Sequence, residues 1–124
     1  MNGIELAPVC RESTKLSLVY DREALLSDIG GDLAILAELE QSFLEEWPHL
    51  QAEISAASQA GAMRQLADLA HKLKGSFGVF HAQRASAAAR ELEKRAKTGS
   101  AGDAAKAAHA LIQEANQMIE RFEA

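Results

Sequence analysis

The chain has 124 residues and a net charge of −5 at pH 7; 48% of its residues are hydrophobic, but only 5% are aromatic. This length suits one domain whose core needs neither a disulfide nor a metal to hold it, and the single cysteine excludes a disulfide framework. The acidic balance argues against general nucleic-acid binding, and the abundant alanine is typical of a helical bundle.

The first part of the chain, residues 1–18, shows no sustained hydrophobic period, and we expect it to be a tail or linker. A short helix should follow, because Asp21 can act as its N-cap. This helix should run to about Asp28 and end before Gly30 and Gly31.

A long helix is predicted to begin after Asp32, because apolar residues then recur at steps of three and four. These residues are Leu36, Leu39, Phe43, Trp47, Leu50, Ile54 and Ala57. The apolar phase continues past Pro48, so the proline is expected to kink the helix rather than end it.

Three further helices are predicted from the same periodicity, at about 62–79, 82–97 and 101–122. The connections between them are short, which implies that consecutive helices run antiparallel. We therefore predict an all-α fold for one domain over residues 19–124. It would be an antiparallel up-down-up-down four-helix bundle with an additional short N-terminal helix.

The helix at 62–79 has two faces of opposite character when its residues are placed about 100° apart. The buried face would hold Leu66, Leu69, Ala70, Leu73, Phe77 and Phe80. His71 then points outward, on an exposed stripe that also carries Arg64, Ala67, Lys74, Gly75 and Gly78. A glycine inside a helix costs about 1 kcal/mol relative to alanine. Two of them beside an exposed histidine suggest that another backbone or domain approaches closely there.

The region around this histidine is basic, although the chain as a whole is acidic. Residues 62–97 contain eight lysines and arginines against three acidic residues. Such a region would attract an acidic partner or an anion. In an antiparallel hairpin that turns near residue 80, Arg90, Glu93 and Lys94 should lie roughly level with His71.

One segment is similar to a known family. Residues 70–76 read Ala-His-Lys-Leu-Lys-Gly-Ser, and Gly78, Phe80 and Ala82 follow at fitting positions. This pattern resembles the histidine-containing phosphotransfer (HPt) domains of multistep two-component signalling. The likeness extends over about residues 19–123, with one departure: His81 stands where the family usually has a glycine.

The resemblance implies a role for each residue of the exposed stripe. His71 would be the phospho-acceptor, because a neutral imidazole nitrogen can attack phosphorus without a base. Lys74, one turn on, would contact the phosphoryl oxygens. Gly75 and Gly78 would clear space for a partner. Arg64, Ala67 and Lys72 would complete the docking surface.

The resemblance also implies the reaction and the partners. The chain would accept a phosphoryl group from the phospho-aspartate of a receiver domain, such as that of a hybrid sensor kinase, and pass it to the aspartate of a response regulator. It would be a phosphocarrier rather than an enzyme, since its sequence contains no kinase apparatus. No cofactor is expected on this chain, and the Mg²⁺ would belong to the receiver domain.

Two other functions stay open at this point. The same surface could bind and sequester a receiver domain without passing phosphate. Less consistent with the pattern is a metal-binding four-helix bundle, suggested by the Glu46-x-x-His49 spacing, because only one such element is present.

The remaining expectations concern the setting of the protein. The start of the chain has no charged segment followed by an apolar run, and no stretch approaches 18 apolar residues. Together with the lone cysteine, this favours a cytoplasmic protein that binds neither membranes nor nucleic acid. A single domain with a complete core is expected to be a monomer.

Overall fold

The computed structural model describes residues 18–122, which contain five complete α-helices and no strand. The helices are α1 (Arg22–Asp28), α2 (Leu33–Ala60), α3 (Met63–Val79), α4 (Gln83–Thr98) and α5 (Ala101–Phe122). Their bounds confirm the all-α prediction, with ends within one residue of those expected. Apart from Leu18, the predicted tail over residues 1–18 lies outside the described residues.

Side-chain caps and glycines fix where the first two helices begin and end. Asp21 accepts a hydrogen bond from the backbone N–H of Ala24 at the start of α1, and Asp32 caps α2 through the N–H groups of its first turn. Gly30 and Gly31 adopt φ values of 73° and 78° between the two helices, a conformation that glycine reaches without strain. Local sequence signals therefore suffice to place these boundaries.

Helix α2 is unbroken over 28 residues, with Pro48 inside it. The prediction that the helix continues past the proline is confirmed. Its buried residues include Leu36, Phe43, Trp47 and Ile54, so one apolar stripe serves the whole length of the helix.

Aromatic side chains form the centre of the core. Phe43 stacks on Trp47 with ring centroids 5.8 Å apart and meets Phe77, Phe80 and Phe122 at centroid separations of 5.5–6.2 Å. All five are at most 7% exposed. Four of them, Phe43, Trp47, Phe77 and Phe80, lie on the apolar faces predicted from the sequence. Together the five rings connect α2, α3 and α5 with Phe80, which follows the last residue of α3.

Small side chains allow α4 to lie close against α3, the most extensive helix pair among the described residues. The buried face of α4 consists of Ala85, Ala89, Leu92 and Ala96, and an alanine surface permits a short interaxial distance. This close packing brings the polar edge of α4 beside the exposed face of α3.

A buried acid ties the start of the domain to α2. The hydroxyl of Tyr20 donates a hydrogen bond to Glu40, whose side chain is 8% exposed, and Arg22 Nε lies 3.3 Å from the same carboxylate. Burial and the neighbouring Glu40 carboxylate raise the pKa of Tyr20 well above its usual value. Sequence reasoning missed this pair, which joins residues 20 positions apart.

None of the helices within residues 18–122 is both long enough and apolar enough to span a bilayer.

Candidate functional site

Helix α3 turns His71 away from the core, as its periodicity predicts. The side chain is 70% exposed, whereas Ala70 and Leu73 on the core-facing side of the helix are completely buried. An imidazole so placed is accessible to a partner protein.

Glu93 on α4 determines which nitrogen of His71 faces outward. Its Oε2 atom lies 3.0 Å from Nδ1 of His71. A carboxylate accepts hydrogen bonds only, so the pair requires the proton on Nδ1 and leaves the lone pair on Nε2 of the neutral ring. No described residue hydrogen bonds to Nε2.

Two lysines neutralise Glu93. Lys74 Nζ lies 3.1 Å from Oε1, and Lys97 Nζ lies 3.1 Å from Oε2. The hydrogen bonds from Lys74 and Lys97, together with the contact of His71, lower the pKa of Glu93 to about 2, although partial burial opposes the shift. The carboxylate therefore remains ionised throughout the neutral range.

Gly75 and Gly78 both lie on open surface. A Cβ atom added at either glycine would meet no atom within 4 Å, so neither residue is needed for contact with a neighbouring helix. The exposed stripe around His71 is consequently flat at these two positions.

The prediction that Ala67 lies on the exposed stripe is wrong, because its side chain is only 7% exposed. By the helical period it lies about 40° from His71 but also about 60° from the fully buried Ala70. Lys74 lies on the same flank and reaches Glu93 on α4, which shows that this flank faces α4. A small alanine side chain there is covered by the neighbouring helix.

The predicted basic residues lie on different sides of His71. Arg64 is exposed on the same stripe, two turns before the histidine. Lys72 is exposed but turned toward α2, where its Nζ lies 3.8 Å from the Glu46 carboxylate. The structure thus brings Lys74 together with His71, and leaves Lys72 on the far side of the stripe.

His81, at the position where a glycine was expected from the resemblance, adopts a left-handed conformation with φ 53°. Its Nε2 atom lies 2.6 Å from Oδ2 of Asp28 at the end of α1. The corner between α3 and α4 thus keeps the backbone geometry that favours glycine, and the imidazole gains a carboxylate partner.

An open groove of about 370 Å³ adjoins the stripe beyond this corner. Its lining includes Gly78, His81, Ser86 and Arg90. The prediction that Glu93 lies level with His71 is confirmed. Arg90, three residues before Glu93 on α4, lines this groove.

Sequence reasoning missed Lys97. Its signal was its spacing, four residues after Glu93 on the same helix, the order in which a Glu–Lys pair is most favourable.

The residues of the metal alternative do not converge. His49 is 77% exposed and pairs with Glu53 at 3.4 Å on the surface of α2. Within residues 18–122, no three His, Cys, Asp or Glu side chains come together as metal ligands.

Comparison with known proteins agrees with the site geometry. Residues 38–124, well over half of the chain, match the Hpt domain family. No curated protein and no solved structure matches the chain. The matched region contains His71 and the residues that surround it, and the chain belongs to the Hpt domain family.

Proposed function

We propose that His71 is the phospho-acceptor of this Hpt domain. Hpt domains carry out histidine phosphotransfer in two-component phosphorelays. In the proposed reaction, Nε2 of His71 attacks the phospho-aspartate of a receiver domain, and the phosphoryl group later passes to the aspartate of a response regulator. The observation that carries the proposal is the contact between Nδ1 and Glu93, which leaves Nε2 exposed and nucleophilic.

The bonds in this reaction balance without a base. The Nε2–P bond forms as the O–P bond of the acyl phosphate breaks, and the aspartate leaves as a carboxylate. The ring keeps its proton on Nδ1. The negative charge of Glu93 stabilises the positive charge that develops on the imidazole. Lys74 lies one helical turn after His71 and contacts the same carboxylate, and in this proposal its ammonium group neutralises the incoming phosphoryl oxygens.

The chain's contribution is then positioning and charge neutralisation. As a phosphocarrier it binds no cofactor of its own in this proposal, and the Mg²⁺ belongs to the partner receiver domain. Gly75 and Gly78 offer a flat docking surface, with Arg64 available to acidic groups of the partner. We further propose that α2 to α5 alternate in direction as an antiparallel bundle, and that the protein acts as a cytoplasmic monomer.

The direct test replaces the acceptor. His71→Gln, mixed with a phosphorylated receiver domain, should take up no labelled phosphate, while its helicity and Tm stay close to those of the wild type because the side chain makes no core contact. His49→Gln and His109→Gln are controls and should accept phosphate normally. Label that persists on His71→Gln would exclude this acceptor.

The same mixture distinguishes the second candidate, a module that only sequesters a receiver domain. That function requires a stable complex in which the wild-type chain gains no label.

A further inference from the structure

Glu93 accepts three donors on two oxygens. Lys74 Nζ contacts Oε1, whereas His71 Nδ1 and Lys97 Nζ share Oε2. The Glu93 side chain is only 12% exposed. A carboxylate so far removed from water is costly to leave without a nearby cation.

The proposed function gives Lys74 a second task that competes with the first. A phosphoryl group brings about two negative charges, and Lys74 lies one helical turn from His71 on the same helix. When its ammonium group turns toward the phosphoryl oxygens, its hold on Glu93 weakens. Glu93 must nevertheless stay beside Nδ1, because the ring becomes positively charged as the Nε2–P bond forms.

Lys97 can hold Glu93 in place when Lys74 turns away. It lies on α4 with Glu93 and contacts the oxygen that also faces Nδ1. We infer that Lys97 is a positioning residue for phosphotransfer, which keeps Glu93 against Nδ1 of His71 while Lys74 engages the phosphoryl group. This inference rests on the proposed role of His71.

The test compares Lys97→Gln with two other variants of α4. Lys97→Arg retains the charge. Arg95→Gln removes the same charge from another pair four residues apart, that of Glu91 and Arg95, which does not touch His71. Each protein is phosphorylated with phosphoramidate, a small donor that needs no partner protein. The phosphorus bound to His71 is followed by ³¹P NMR.

Lys97→Gln should slow uptake on His71 by about fivefold, the factor that corresponds to about 1 kcal/mol. Lys97→Arg and Arg95→Gln should stay within about twofold of the wild type. In ¹⁵N spectra before phosphorylation, Lys97→Gln should still show the proton on Nδ1, because Lys74 continues to hold Glu93 in the resting protein.

Three results would overturn the inference. Equal rates for Lys97→Gln and Arg95→Gln would mean that Lys97 acts, if at all, only through its charge at a distance. A resting tautomer that changes in Lys97→Gln would assign Lys97 to the resting structure instead. A wild-type protein that gains no phosphoryl group on His71 would overturn the proposed function itself, and the inference with it.

Discussion

At the scale of single residues, Glu93 decides the chemistry of His71. His71 and Lys97, two of the partners of Glu93, are 70% and 61% exposed. Ion pairs with exposed partners contribute little to stability, so the contacts of Glu93 matter less for holding the fold than for fixing a proton. The carboxylate holds the proton on Nδ1 and so leaves the lone pair on Nε2, the atom proposed to accept the phosphoryl group. Lys74 and Lys97 keep the carboxylate charged.

Glu93→Gln should make the free energy of unfolding depend less on pH between pH 5 and pH 2. The pKa of Glu93 is lowered from 4.5 to about 2, so the ionised carboxylate stabilises the folded protein above pH 4.5, and this contribution disappears as the pH falls toward 2. The wild type should therefore be more stable than Glu93→Gln at pH 7, with a difference that shrinks between pH 5 and pH 2. Urea midpoints across this range measure it.

The control for this comparison is Glu38→Gln, which changes an exposed carboxylate on α2. A difference between Glu93→Gln and the wild type that stays constant from pH 7 to pH 2 would contradict the assigned ion pairs.

The sequence predicted which residues of α3 face outward and that Glu93 lies level with His71, but not which side chains form contacts. Helical periodicity gives directions, and it placed His71, Gly75 and Gly78 correctly. It does not give the position of the next helix, which is why Ala67 was expected on the surface although α4 covers it. The choice of Nδ1 by Glu93 depends on side-chain rotamers on two helices, which no local pattern encodes.

At the scale of elements, α3 presents the exposed stripe, which is flat at its two glycines, and is followed by a corner in which His81 has a positive φ. Caps and glycines act locally, which made the starts of α1 and α2 and the ends of α2 and α4 predictable. The end of α3 and the start of α4 have neither signal. His81 differs, since a left-handed backbone costs a non-glycine residue roughly 1–2 kcal/mol. The contact of His81 with Asp28 offsets part of this cost.

Gly78→Leu should separate stability from transfer. Leucine is a better helix former than glycine by somewhat less than 1 kcal/mol, and open space surrounds position 78, so the Tm should hold or rise. Phosphotransfer from a receiver domain should slow by about an order of magnitude or more, because a bulky side chain displaces the partner.

The matched control is Gly102→Leu, a helical glycine of α5 with room for a side chain. It should leave transfer unchanged. Phosphotransfer by Gly78→Leu at the rate of this control would show that partners do not dock on the exposed stripe.

At the scale of the whole molecule, long-range contacts close the end of the fold near residue 80. The rings of Phe80 and Phe122 pack against Tyr20, which in turn donates its hydrogen bond to Glu40. The apolar members of this cluster could be predicted from their spacing. A buried carboxylate paired with a tyrosine 20 residues earlier could not, because a glutamate on a helix is ordinarily read as solvated.

Tyr20→Phe should destabilise the protein by about 1.5–3 kcal/mol, the usual value for a hydrogen bond to a charged group. The ring contacts would remain, so the loss reports the hydroxyl alone. Urea denaturation measures it, and a double-mutant cycle with Glu40→Gln isolates the coupling. A loss below about 0.5 kcal/mol, or no coupling, would show that the pair does not contribute to stability.

The central claim for the molecule is that Nε2 of His71 is the atom that carries the phosphoryl group. The most direct measurement is ³¹P–¹⁵N correlation NMR on the phosphorylated, ¹⁵N-labelled protein, which identifies the nitrogen bonded to phosphorus. The geometry predicts one phosphorus on Nε2 of His71, with the proton of Nδ1 still present beside Glu93. A phosphorus bonded to Nδ1 of His71, or to any other histidine, would contradict it.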